Sequence, residues 1–191
     1  GADLIDIGAY SSRPGADFVS PGDELARLLP LLKEISRQFP EAIISVDTFR
    51  AEVARQAIAH GAHIINDIGG GTLDPEMFAS IANLQVPYIL MHMRGTPQNM
   101  QQHIQYTDVV QEISQFFGNS VAQLREMGVR DIILDPGFGF AKTLAQNYEL
   151  LDRIEELQIF GLPLLGALSR KSMIYKKLDI TPGEALNGTT A

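Results

Sequence analysis

The chain contains no cysteine, so disulfides and thiolate metal sites are excluded. No apolar run approaches the ~20 residues that a membrane-spanning helix needs. The first residues carry no signal-peptide pattern. Positive charge is sparse: 15 Lys and Arg stand against 23 Asp and Glu, for a net charge of -8. An acidic chain without a basic cluster is a poor surface for nucleic acid or an anionic membrane, so neither is expected as a partner. A small anionic ligand held by a few local cations stays compatible with it. No His, Asp or Glu spacing matches a protein metal cage. A Gly-x-Ser-x-Gly elbow, a Walker loop and a Gly-x-Gly-x-x-Gly after a strand are all missing. A soluble, cytoplasmic protein is the expectation these absences leave. With 191 residues, 45% of them hydrophobic, there is material for one sizeable core.

Six short apolar runs each end on a polar or charged residue, and a helix-like segment follows each. The runs are Leu4-Ile5-Asp6, Ile43 to Asp47, Ile64 to Asp67, Tyr88 to His92, Ile132 to Asp135 and Leu164 to Ser169. Strand and helix alternate at a spacing of roughly thirty residues, which predicts βα units and a parallel sheet. An open doubly wound sheet loads only the strand tips at its switch point. A closed barrel gathers every tip around one mouth. All six tips are polar here, which favours an α/β fold of the (β/α)8 TIM-barrel type with about six of eight units. Residues 1–191 read as a single domain. It starts at Gly1 without Met and stops without a terminating signal, as expected for a barrel truncated at both ends.

Local signals fill in the helices. Ser20 is placed to cap a helix that opens with Pro21 and runs towards Gln38, with Pro30 as a kink point. Thr48 is expected to cap a helix ending near His60-Gly61. Further helices are expected over Pro75 to Asn83, Asp108 to Met127 and Leu144 to Leu157, and a sixth strand over Leu162 to Leu168. Gly69-Gly70-Gly71 reads as a simple turn.

Asp6, Asp47, Asn66 and Asp135 form the strongest set of candidate site residues. Asp and Asn also cap the helix that follows a strand, and for any one of them alone that reading serves equally. Asp47 suits capping least, since Thr48 can do the job. Converging in one barrel mouth, such groups suit a flat heterocycle with N–H donors and ring acceptors. Asp135 to Phe140 reads Asp-Pro-Gly-Phe-Gly-Phe. Its glycines let backbone approach a ligand, and its rings can wall a planar one. Ser169-Arg170-Lys171-Ser172 sets two cations beyond a strand end at a helix start, a combination that suits an anion. Ser11-Ser12-Arg13-Pro14-Gly15 repeats that logic at another tip. His92, between two methionines, reads as a packed or hydrogen-bonded residue.

Taken in order, Ser11 to Gly15, Ser45-Val46-Asp47-Thr48, Ile65-Asn66-Asp67-Ile68, Met91-His92-Met93, Asp135 to Phe140 and Ser169 to Ser172 resemble dihydropteroate synthase of folate biosynthesis. The resemblance covers essentially the whole chain. It implies a (β/α)8 barrel, a homodimer, and a transferase that joins hydroxymethyl-dihydropterin pyrophosphate to para-aminobenzoate, the sulfonamide-sensitive step. It implies that Asp47, Asn66 and Asp135 bond the pterin edge and that Lys171 bonds its carbonyl side, with Asp47, Asp135 and Lys171 carrying catalysis. Met91, Gly139 and Phe140 then line the pterin pocket, and Asp6 sits deep in it. Ser12, Pro14, Phe140, Ser169 and Arg170 border the aminobenzoate, and Arg13 lies towards the pyrophosphate. Mg²⁺ is the implied cofactor, with no ligand in this segment.

The family's first strand, with its Asn-x-Thr-Pro-Asp-Ser-Phe-type Mg²⁺ loop, and its last, with an Arg-x-His anion site, have no counterpart in the sequence. Ser12 stands where Thr is commoner, and Ala167 where Gly is common. Two other readings compete. One is a pterin-binding methyltransferase acting on methyltetrahydrofolate, against which the Ser-Ser-Arg-Pro-Gly and Ser-Arg-Lys-Ser motifs argue. The other is a non-catalytic pterin-binding paralogue or an inactive fragment, whose open edge strands would invite aggregation.

Overall fold

The computed structural model describes residues 2–13 and 17–190. Five strands form one sheet: β1 (Leu4–Gly8), β2 (Ile43–Asp47), β3 (Ile64–Asp67), β4 (Tyr88–Met91) and β5 (Ile132–Asp135). Their spatial order is their chain order, and every neighbouring pair is parallel. A doubly wound sheet would reverse direction at a switch point. Among the described residues there is no such reversal, so the winding is that of a barrel wall.

The connecting helices are α1 (Pro21–Gln38), α2 (Ala51–Ala59), α3 (Met77–Leu84), α4 (Val109–Glu126) and α5 (Leu144–Asp152), followed by α6 (Ser172–Leu178) and a short α7 (Leu186–Thr190). The α1 start follows its sequence signal: Ser20 caps the helix by accepting from the Asp23 amide at 3.1 Å, and Pro21 opens it. The helix continues through Pro30.

Side chains alternate across a strand. One face of the sheet therefore sends Ile44, Val46, Ile65, Tyr88, Leu90 and Leu134 into the helices. There they meet Leu28, Leu32, Val53, Ile81, Ile113 and Phe117, all nearly inaccessible to solvent. The other face carries Asp6, Ser45, Asp47, Asn66, Met91 and Asp135. It is open at its β1–β2 end, where the register partners Leu4 and Ile43 are 47% and 45% exposed.

Two expected elements differ. The sixth strand is reduced to one parallel bridge, Leu134 to Leu164. Pro163 has no N–H to extend the ladder, and its carbonyl accepts from Leu134 while Leu165 donates back. The helix expected over Leu144 to Leu157 breaks at Arg153 and resumes as a 3-10 turn over Ile154–Phe160. The Arg153 guanidinium there gathers Asp108, Glu149 and Glu156.

A buried ionic knot ties α1 to the β2–α2 turn. Glu24, 1% exposed, accepts from the Thr48 hydroxyl at 2.8 Å and from the Arg50 guanidinium. Arg50 also donates to the Val19 carbonyl and lies over the rings of Tyr10, Phe18 and Phe49. Thr48 does not cap α2 as expected: the cap is Arg50, without a side-chain bond of its own, and Thr48 accepts from the Arg50 amide just before it, while the first free amide of α2, that of Ala51, is taken by the Asp74 carboxylate. Breaking a buried ion pair on one side leaves an uncompensated charge. Glu24→Ala is expected to cost about 3–5 kcal/mol in urea unfolding, and Glu24→Gln, which keeps an acceptor for Thr48, markedly less.

Candidate active site

Parallel register sets the candidate residues level with one another. Gly8, Asp47, Asn66 and Ile89 form one tier, and Met91 faces Asp135 in the next. Asp6 lies level with Ser45, one inward-facing position below Asp47. The structure brings Asp6, Asp47, Asn66 and Asp135 onto the same face; the last three stand at the C-terminal ends of their strands, whereas β1 runs on past Asp6 to Gly8. Asn66 donates through Nδ2 to Asp6 Oδ2 at 3.1 Å. Its Oδ1 is buried and has no partner, an acceptor held ready for a donor. Asp6, expected deep in a pocket, is exposed, because the sheet face beside β1 is uncovered.

Charge is crowded there. Burial, then the nearby carboxylates of Asp6, Asp67 and Glu24, push Asp47 up to about 8. Burial also raises Asp135, which is 4% exposed, while the Gly137 amide and the charges of Lys171 and Lys142 pull the other way. Asp135 Oδ1 takes that Gly137 amide at 2.7 Å. A side chain at Gly137 would collide with the His92 carbonyl, with a Cβ only 2.1 Å from it, so the turn after β5 requires glycine. Lys171, half-buried, donates to the Phe138 carbonyl and lies 4.6 Å from the centre of the Phe140 ring.

Beside this floor opens a cleft of about 510 Å³. Ser12, Arg13, Gly139, Phe140, Ser169 and Lys171, all anticipated from the sequence, line it. Asp47, Asn66 and Asp135 lie outside it, on the sheet face. Two expectations fall elsewhere, and a third is not placed. Met91 is packed into a small apolar cluster with Ile68, Met93, Met100 and Ala141, on which Phe140 rests. Arg170 is exposed, in a left-handed conformation with φ of 51°, and its amide donates to Thr189; it is not among the cleft residues. Pro14 lies outside the described residues.

Sequence reasoning pointed to neither Met100 nor Tyr175 as a cleft wall. It also missed the supports beneath the floor. Asp67 faces away from the site and accepts from the Gly69 and Gly71 amides and the Tyr88 hydroxyl. That fixes the triple-glycine turn as a structural one. Burial raises Asp67 to about 6. Lys142, drawn down to about 7 by burial, donates to the carbonyls of Gly137 and Phe140 and to His92 Nδ1. His92 is the packed, hydrogen-bonded residue expected of it, set edge-on to Phe116.

The sequence matches the pterin binding enzyme family over residues 1–190. It is 50% identical to the dihydropteroate synthase of Synechocystis, covering all of this chain and 67% of that protein. The chain belongs to the dihydropteroate synthases. Among solved structures, a Yersinia pestis dihydropteroate synthase in complex with a sulfonamide drug superposes with a TM-score of 0.93 at 42% identity, over 98% of this chain and 68% of that one. A Xanthomonas albilineans dihydropteroate synthase with 4-aminobenzoic acid gives 0.91 at 38% identity, over 99% and 67%. The chain thus spans about two thirds of the length of these relatives.

Asp47 makes stability depend on pH. Unfolded, its carboxyl ionises near 3.8; folded, near 8. Between those values the unfolded chain has shed a proton that the folded one keeps. Rising pH therefore favours unfolding, and the contribution is full below about pH 4 and lost by about pH 8. Asp47→Asn, which does not titrate, should match the parent near pH 4. By pH 8 it should melt several degrees higher than the parent. Thermal melts across that range check it.

Proposed function

We propose that this chain provides the pterin floor and aminobenzoate cleft of an enzyme that condenses hydroxymethyl-dihydropterin pyrophosphate with para-aminobenzoate. The carrying observation is the juxtaposition of Asp47, Asn66 and Asp135 on one sheet face with a cleft lined by Lys171 and Phe140. Asp47, Asn66 and Asp135 accept from and donate to the pterin edge. The free Oδ1 of Asn66 takes a ring N–H. Asp47 gives up its proton as it meets the donor-rich edge. Lys171 anchors the carbonyl side, and Ser12, Phe140 and Ser169 border the aminobenzoate. Arg13 lies towards the pyrophosphate.

In the reaction the bond from the pterin methylene carbon to the pyrophosphate oxygen breaks, and positive charge develops on the pterin. Carboxylates already fixed beside that charge stabilise it more than they stabilise the substrate. The aniline nitrogen attacks the carbon and then loses its proton, so no strong base is needed. Pyrophosphate leaves with its electron pair. The family resemblance also supports Mg²⁺ on the departing pyrophosphate. We further propose a homodimeric, cytoplasmic enzyme. No helix among the described residues is long and apolar enough to cross a membrane.

The decisive assay is pyrophosphate release that depends on para-aminobenzoate, with pteroate formation followed in parallel. Asp135→Asn should lower turnover by about 10²–10³ with little effect on the melting temperature. Methyl transfer from methyltetrahydrofolate without any aminobenzoate-dependent release would favour the methyltransferase reading. Pterin binding with neither reaction would favour a non-catalytic protein.

A further inference from the structure

The loop from Asp135 to Phe140 is held from below by a side chain the reaction does not touch. Asn147 lies in the first turn of α5 and is 2% exposed. Its Oδ1 accepts from the Gly139 amide at 2.7 Å. Its Nδ2 donates to the carbonyls of Thr143 at 2.7 Å and Lys142 at 3.4 Å. The amide orientation is dictated by these partners, because the reverse would set N–H against N–H and oxygen against two carbonyls.

The Gly139 amide belongs to the same peptide unit as the Phe138 carbonyl. That carbonyl is the acceptor for Lys171 Nζ. The peptide is trans, so its N–H and C=O point in opposite directions. Pulling the Gly139 N–H down onto Asn147 therefore aims the Phe138 oxygen up at Lys171. Gly139, at a φ of +83°, lets this plane sit as it does, and the space a Cβ would take is 3.4 Å from Lys171 Cδ. A glycine in this region turns easily. The hydrogen bond to Asn147 is what selects one orientation.

The geometry points to Asn147 as the positioning residue for Lys171, acting through the Phe138–Gly139 peptide. Its consequence for the pterin rests on the proposed function, in which Lys171 is the anchor. Without the Asn147 acceptor the peptide plane is free to rotate, and Lys171 loses its partner on the loop.

The position of Lys171 is testable without catalysis, by competitive acetylation with acetic anhydride read by mass spectrometry. The exposed Lys176 and Lys177 serve as internal references. Asn147→Ala should raise the relative reactivity of Lys171 about tenfold. Thr143→Ala removes the capping box at the same helix end but leaves Gly139 its acceptor, and should change Lys171 less than twofold. An unchanged Lys171 in Asn147→Ala, or an equal rise in both variants, overturns the proposal. Should Asn147→Ala fail to fold, the unsubstituted protein decides. A scalar coupling across the hydrogen bond from the Gly139 nitrogen to the Asn147 Cγ supports the assignment, and its absence in NMR spectra overturns it. Pterin affinity supplies the functional link: Asn147→Ala should weaken it about tenfold, and should add nothing in a Lys171→Ala background. Weakening by the same factor in both backgrounds would make Asn147 merely structural. A parent that binds no pterin would remove the proposed function while leaving the acetylation result intact.

Discussion

Because Asp47 lies level with Asn66 in a parallel ladder, and Met91 level with Asp135, the site depends on register before it depends on any contact. A slip of one residue in β2 would turn Asp47 towards the helices and bring Val46 to the open face. The cost would fall on the core, where Ile44 and Val46 are wholly buried against α1 and α2. The apolar face thus enforces the position of the polar one. Helices on the far side of the sheet determine which carboxylates reach the open face.

That arrangement is electrostatically expensive. Asp6, Asp47 and Asp67 stand on adjacent strands, with Glu24 close behind. Compensation comes from the loops. Asp67 is bonded by two amides and a tyrosine, Glu24 is neutralised by Arg50, and Asp135 feels Lys142 and Lys171. Asp47 is surrounded by Asp6, Asp67 and Glu24, with no cation among the groups that raise its ionisation. It is the group left for a ligand to satisfy.

How much of this was legible in the sequence follows from which interactions use side-chain type. Apolar runs ending in Asp or His marked the five strands, and all their tips but that of β1, since alternation and burial are written in residue identity. Ser20-Pro21 marked the start of α1 for the same reason. The sixth strand misled because Leu162 to Leu168 is apolar enough, while Pro163 removes the donor the ladder required. The helix break at Arg153 depends on three acids scattered over nearly fifty residues of chain. Lys142 and Asn147 were missed because they bind backbone, and backbone carbonyls and amides leave no pattern of residue types to read. Arg170 sits in a motif but is exposed, on a left-handed backbone that its residue type does not announce.

The cleft and the floor are built from different parts of the fold. Asp135 is nearly buried at a strand end, whereas Arg13 and Ser169 are exposed residues of loops. Substitutions in such loops disturb little of the core. Evolution under an inhibitor that mimics the aminobenzoate would thus have many inexpensive routes of escape. On the proposed function, a compound that competed for the pterin floor would confront side chains carried by strands whose opposite face forms the core.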